Sequence, residues 1–219
     1  MYCEKTIFET FFEPANSLSN LGFFVSSFCI YHFLTRSQKS LFHRYYFAIV
    51  VLCIAIGSFL WHFYPTKLTV ILDSVPIFIF MLSFLIFYSS EIAKTRFHSY
   101  WMIGFFFVFV PSFSYLANLF VQTFFQTKIS SMGYASVITY FLVLQIYNSF
   151  HKKTEISKAI LISALFGCSI FFRAIDVPIC QQFPLGTHFI WHILNSITLF
   201  LMVKLLYQIR FQRTVHLYS

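Results

Sequence analysis

The chain has 219 residues, of which 58% are hydrophobic, 22% aromatic and 10% charged, whereas a soluble domain carries about 25% charged residues. Its 33 phenylalanines outnumber the 15 basic and 7 acidic residues combined, so it cannot clothe a globular surface in polar groups, and no polar stretch is long enough for a separate soluble domain. The net charge of +8 does not imply nucleic-acid binding, because the basic residues sit in short loops between apolar runs, where they set membrane orientation.

Residues 1–16 form an outer N-terminal segment. It is acidic and lacks both a basic region and a small-residue cleavage site, so the first span is expected as an uncleaved anchor rather than a signal peptide. A span needs about 20 mostly apolar residues. Seven segments qualify, at approximately 17–36, 45–63, 68–89, 99–121, 132–150, 156–174 and 186–207, followed by a tail at 208–219. Pro111 and Gly167 fall inside spans, where neighbouring helices re-satisfy the backbone. No internal repeat or inverted hydropathy symmetry is evident, which argues against a transporter of repeated halves. The expected fold is an all-α membrane protein, a seven-transmembrane helix bundle forming one domain over 1–219.

Seven spans put the termini on opposite sides. The side with the loops after spans 1, 3 and 5 and the tail carries 11 of the 15 basic residues, counting those in the adjoining span ends, while the other side holds Lys5, Lys67, Lys128 and Arg173. The positive-inside rule then places the N-terminus outside and the C-terminus in the cytoplasm. Cys29, Cys53 and Cys168 lie within spans and read as small apolar residues. Cys3 and Cys180 fall on the outer side, where a disulfide is permitted; spacing alone leaves a bridge and two free thiols equally open.

Against this apolar background a few polar residues stand out. They are Ser58 and His62 in GSFLWH, Asp73 in LDSVP, and His188 and His192 in GTHFIWH. An ionisable side chain within a bilayer costs about 2.5–3.5 kcal/mol on insertion scales, so it reads as functional by default. His188 and His192 are four apart, which returns them to one helix face and lets two imidazoles share a cation. Ser58 lies one turn before His62, and Asp73 is the only acidic residue inside a span. Spans 2, 3 and 7 present these groups at a common depth, roughly 5–12 Å inside the outer boundary at 1.5 Å per residue.

Three neutral imidazoles leave one position of a tetrahedral Zn²⁺ for water, the open pattern of catalytic zinc. Zinc would lower the pKa of that water to about 7. Asp73 is then the expected general base and subsequent acid. Ser58 is the expected hydrogen-bond donor to an oxyanion rather than a nucleophile, for want of a base. Singly, each residue has a bland alternative: His62 an interfacial aromatic, Ser58 a packing residue, Asp73 a structural acceptor. Together they favour the metal reading, because leaving them all buried and unpaired is costly.

With CEK and EPANSLSNLGF, GSFLWH, LDSVP and FRAIDVPICQQFPLGTHFIWH, the chain resembles the alkaline ceramidase family from Cys3 to about Leu201. The closest likeness is to its prokaryotic-type members. The shared pattern is S-x-x-x-H, a downstream Asp, and H-x-x-x-H on the last span; the wider superfamily of seven-span hydrolases includes the progestin and adiponectin receptors. The resemblance implies a zinc amidase that cleaves ceramide to a fatty acid and a sphingoid base. His62, His188 and His192 would bind zinc, with Ser58 and Asp73 supporting the water, and a disulfide would join Cys3 to Cys180. Animal ceramidases also bind calcium through an acidic N-terminal stretch, and Glu4 and Glu13 resemble two of its ligands. Met1 stands where that pattern has Asp and Thr6 where it has Asn. Two glutamates leave a calcium site underfilled, which counts against Ca²⁺; solvation, or a helix cap at Glu13, is the alternative.

A ceramide-like membrane lipid is the expected partner, with the active site toward the outer face. Rival readings are a zinc hydrolase of another lipid acyl bond, such as an ester or an N-acyl amino acid, and a lipid-sensing receptor on the same scaffold. The short tail disfavours the receptor. The lack of polar residues continuing toward the inner face disfavours an ion channel or proton-coupled transporter.

Overall fold

The structure is a computed structural model that describes residues 2–8, 12–36, 41–125, 132–152 and 156–218. Among these the regular structure is helical: α1 (Cys3–Phe8), α2 (Pro14–Ser19), α3 (Leu21–Arg36), α4 (Leu41–Phe63), α5 (Lys67–Ile92), α6 (Arg96–Phe125), α7 (Met132–Lys152), α8 (Ile156–Ile175) and α9 (His188–Tyr218).

The boundaries follow local chemistry. Pro14 opens α2, where its missing N–H would be unpaired in any case. A turn at Asn20, with helical dihedrals, separates α2 from α3 within the expected first span. α4 stops at Phe63, just before the extended backbone that Pro65 favours. Thr66 and Thr69 then cap α5 reciprocally, each hydroxyl accepting the other's backbone N–H at 3.1 and 2.7 Å. Thr95 caps α6 by accepting the His98 N–H at 3.2 Å. Residues 208–218, expected as a tail, continue α9.

Among the described residues, six helical segments are long and apolar enough to cross a membrane: Pro14–Thr35, Tyr45–Phe63, Lys67–Ile92, Arg96–Thr123, Ile156–Ile175 and His188–Arg210. α7, expected as the fifth of seven spans, is helical but not among them. Ser136, Thr139, Gln145, Asn148 and Ser149 lower its mean hydropathy.

The chain divides into two compact units. One comprises residues 1–84 and 171–204, the other 85–170 and 205–219. In the first, α3 packs on α4 and α2 on α4. The Ser27 hydroxyl donates to the Ala48 carbonyl at 2.7 Å across the α3–α4 contact. Phe47 meets Phe80 edge-on at 5.6 Å, and Ile30, Leu34, Val51 and Ile54 are buried with them. Gly22 lies so close to Ser196 that a Cβ there would stand 2.8 Å from its hydroxyl, the small-residue approach typical of membrane helices. In the second unit α6 packs on α7. Tyr140 donates to the Met102 carbonyl at 2.5 Å and packs its ring edge-on against Phe106 at 5.4 Å.

Candidate metal centre

His62 lies in the last turn of α4, and α9 begins with His188, with His192 one turn on. The three rings converge within the first unit. Their centroids stand 5.2 Å (His62–His188), 4.9 Å (His62–His192) and 4.6 Å (His188–His192) apart. One ligand atom from each lies within 4.8 Å of the others, and all three residues are buried.

Partners on the outer nitrogens set two of the tautomers. Glu13 Oε2 stands 2.6 Å from His62 Nδ1. A carboxylate only accepts, so Nδ1 carries the proton and Nε2 keeps its lone pair. The Glu13 N–H also donates to the His62 carbonyl at 3.1 Å, gripping that residue at both ends. Ser19 Oγ stands 2.7 Å from His192 Nδ1. The serine spends its one proton on the Asn16 carbonyl at 2.8 Å, so it accepts from His192 and leaves that Nε2 unprotonated. His192 Nε2 and both ring nitrogens of His188 are buried without a hydrogen-bond partner. Buried nitrogens normally find a partner, and three orphaned nitrogens on two of three convergent imidazoles fit a metal ion. Outer partners that orient ligating histidines are characteristic of such sites.

Asp73 and Ser58 reach the same region through a close helix crossing. At Gly57 the α4 backbone lies against Leu72 and Asp73 of α5, so near that a Cβ would collide with the Leu72 carbonyl. This brings the Ser58 hydroxyl into hydrogen-bonding contact with the Asp73 carboxylate. Asp73 Oδ1 is buried without a partner. Ser58, expected from the sequence as a hydrogen-bond donor to an oxyanion, thus lies beside the expected general base.

A second acid, which the sequence reading left outside the site, anchors α9. The buried Asp176 carboxylate accepts three backbone N–H groups. Thr187 and His188 donate to Oδ1 at 2.7 and 2.9 Å, and Cys3 donates to Oδ2 at 2.9 Å. It satisfies the first amides of α9 where a negative charge is favoured by the helix dipole. Gly186 beside it has φ +67°, and a Cβ would strike Asp176 Oδ1 and Cys3 Cβ. Glycine is therefore required both by conformation and by space. Cys3 and Cys180 are joined, with Cα atoms 5.3 Å apart.

Glu4 and Glu13, the two candidate calcium ligands, are both buried and engaged by nitrogen donors. Glu4 accepts the N–H groups of Ala15 and Asn16 at 2.7 and 3.0 Å, capping α2. Glu13 Oε2 takes Asn16 Nδ2 at 2.9 Å besides His62. Burial pushes the Glu4 carboxyl above its usual range, opposed by its two backbone donors and reinforced by the Glu13 charge.

Aromatic rings complete the centre. Tyr2 and Trp191 both stack on His188, at 3.8 and 5.1 Å, with interplanar angles of 25° and 14°. The Arg173 guanidinium lies 4.8 Å from the Trp191 ring centroid and 5.7 Å from that of Tyr2.

The five residues singled out from the sequence thus fall in one unit, three as a cluster and two as a pair at the neighbouring crossing. Glu13, Ser19, Asp176, Tyr2, Trp191 and Arg173 were missed as parts of it. Ser19, Arg173, Asp176 and Trp191 lie within the motifs of the resemblance without a role assigned to them, and Glu13 was assigned to a different ion. A family model described as Ceramidase matches residues 1–217. No protein of curated function matches the chain. The match spans nearly the whole sequence, and the chain therefore belongs to the ceramidase family, hydrolases of the amide bond of ceramide.

Proposed function

We propose that this protein is a zinc-dependent intramembrane amidase that hydrolyses ceramide-type lipids to a fatty acid and a sphingoid base. The observation that carries the reading is the buried three-histidine cluster with orphaned ring nitrogens, within a chain of the ceramidase family. Three neutral nitrogen donors suit zinc and leave a coordination position open. When bound, zinc supplies the Lewis acidity that makes water a competent nucleophile near neutral pH.

The chain's own residues do the rest. His62, His188 and His192 hold the ion, with Glu13 and Ser19 fixing two of the rings. Asp73 takes a proton from the attacking water on its unpartnered Oδ1 and delivers it to the leaving nitrogen. Ser58 orients Asp73 by hydrogen bonding to it. The Cys3–Cys180 bridge and Asp176 hold the N-terminal segment against the start of α9. Glu4 and Glu13 serve these internal bonds rather than calcium. We read the chain as a single ceramidase-type domain of the prokaryotic kind, with α7 as a seventh span, the N-terminus and active site toward the outer face and the C-terminus in the cytoplasm. The basic residues favour this orientation.

The test pairs metal content with turnover. Purified wild-type protein should retain about one zinc per chain, as three histidine ligands with one open position require, and should release fatty acid from ceramide. His192→Ala should lose both. Ceramide cleavage by His192→Ala at the wild-type rate would refute the reading.

A further inference from the structure

We propose that the cavity between the end of α5 and the start of α6 binds the headgroup phosphate of an anionic membrane phospholipid. The site is independent of the amidase reading; only the leaflet it faces follows from the orientation proposed above.

The cavity measures about 490 Å³, within the roughly 300–1,000 Å³ of small-ligand sites. It lies wholly in the second unit and shares no residue with the metal centre. Lys94, Arg96, Ser99 and Tyr100 line it, and Ile86 and Ile103 give it an apolar wall. Both cations are exposed, and neither side chain has an ion pair or hydrogen bond among the described residues. The nearest acid along the chain, Glu91, does not line the cavity and pairs with Arg210 at 3.5 Å.

Ser99 points to a ligand independently of the charges. It is 8% exposed and lines the cavity, yet its hydroxyl has no hydrogen-bond partner among the described residues. A buried hydroxyl normally has one. The neighbouring hydroxyls are engaged: Ser90 donates to the Phe87 carbonyl at 2.7 Å, and Thr95 meets the His98 ring and N–H at 3.0 and 3.2 Å. The Ser99 proton is thus left for a group that enters the cavity. The start of the 30-residue α6 adds the positive end of a helix dipole, which favours a phosphate oxygen. Lys94 supplies a point charge and Arg96 a planar fork that takes two phosphate oxygens.

The location favours a lipid over a free ion. The apolar segments Lys67–Ile92 and Arg96–Thr123 end and begin here, so the cavity sits at a membrane boundary, where headgroups lie. Phe97, Tyr100 and Trp101 are exposed on the first turns of α6, the interfacial placing of aromatic rings. Ile86 and Ile103 lie further into the two apolar segments and offer a surface to the first carbons of an acyl chain. In the orientation proposed above this is the cytoplasmic leaflet, where basic pockets between membrane helices meet anionic headgroups.

The experiment uses full-length protein in one neutral detergent and a fluorescent phosphatidylglycerol read by polarisation. Unlabelled dioctanoyl phosphatidylglycerol should displace it at least tenfold better than dioctanoyl phosphatidylcholine or inorganic phosphate. A basic side chain near a charged lipid headgroup is worth about fivefold, so Lys94→Gln and Arg96→Gln should each weaken the labelled lipid by about that factor, and Arg96→Lys by less. Lys67→Gln removes one exposed charge at the other end of α5 and should change binding less than twofold. Ser99→Ala should weaken binding at an unchanged melting temperature, because its hydroxyl has no partner to lose. Equal displacement by phosphatidylglycerol and phosphatidylcholine overturns the proposal, as does a loss in Lys67→Gln as large as in Lys94→Gln. Inorganic phosphate that competes as well as phosphatidylglycerol overturns the assignment to a lipid. Lipid binding unchanged in both Lys94→Gln and Arg96→Gln places the lipid elsewhere and overturns the site.

Discussion

Glu13 offers the sharpest test of how the centre is built. Its carboxylate lies 2.6 Å from His62 Nδ1, with both side chains almost wholly buried. Glu13→Ala leaves a buried imidazole N–H without its acceptor, at a cost of about 1–3 kcal/mol. It also frees a ligand ring to rotate, and loss of such an outer partner weakens metal binding about 10–100-fold, equivalent to about 1.4–2.7 kcal/mol. Glu13→Gln separates charge from orientation. A single amide oxygen can still accept from both His62 and Asn16, as Oε2 does in the native protein. Its zinc affinity should therefore fall by less than tenfold, below the range for full loss of the partner. The assay is competition for zinc against a chromogenic chelator in detergent, alongside the melting temperature of the metal-free protein. A Glu13→Ala variant that melts lower yet binds zinc within twofold of wild type would refute the orienting role and leave Glu13 as structural only.

Asp176→Ala strands three backbone N–H groups that share one carboxylate. At about 1 kcal/mol or more each, the loss should reach about 3 kcal/mol and be readable as a lower melting temperature, with Asp176→Asn intermediate. Gly57→Ala drives a methyl group into the Leu72 carbonyl. It should cost about 1–3 kcal/mol as an overpacked contact and reduce turnover more than zinc retention, because it parts Ser58 from Asp73 without touching a histidine. Glu4 tests the pH dependence. Its folded pKa is raised, chiefly by burial, so the native state favours its protonated form. That contribution is fully present below the unfolded value of 4.5 and is lost as pH rises through the folded one. The melting temperature of Glu4→Gln relative to wild type should therefore climb as pH is raised from 4 toward neutrality; a pH-independent difference would contradict it.

The helices were legible because their signal is strong and local. Long apolar runs bounded by Pro65, Thr66 and Thr95 could form little else. α7 is harder to classify, since the serine, threonine and amide side chains that lower its hydropathy are buried in several cases and reveal nothing of their surroundings to a hydropathy window. The histidines were legible because their helical spacing and their cost in an apolar segment are both written in the chain. Their support was not. Glu13 reaches His62 across 49 residues and Ser19 reaches His192 across 173, and no periodicity encodes such pairings. The partners of Asp176 are backbone amides, which carry no residue signature.

The origin of that support has a physical logic. α4 and α9 supply the ligands, and the partners of their outer ring nitrogens come from elsewhere in the chain. The segment around α2 provides them, Glu13 for His62 and Ser19 for His192, with Asn16 bonded to both Glu13 and Ser19. Such a segment is too short to hold its own shape, since helices of 6 residues lie far below the length at which isolated helices persist. It is ordered instead by bonds at both ends: Cys3 to Asp176 and Cys180, and the Glu13 backbone to the His62 carbonyl. The polar N-terminal segment and the turn before α9 are thus as much a part of the centre as the membrane helices. A substitution in either should disturb the histidines from outside the apolar spans that carry them.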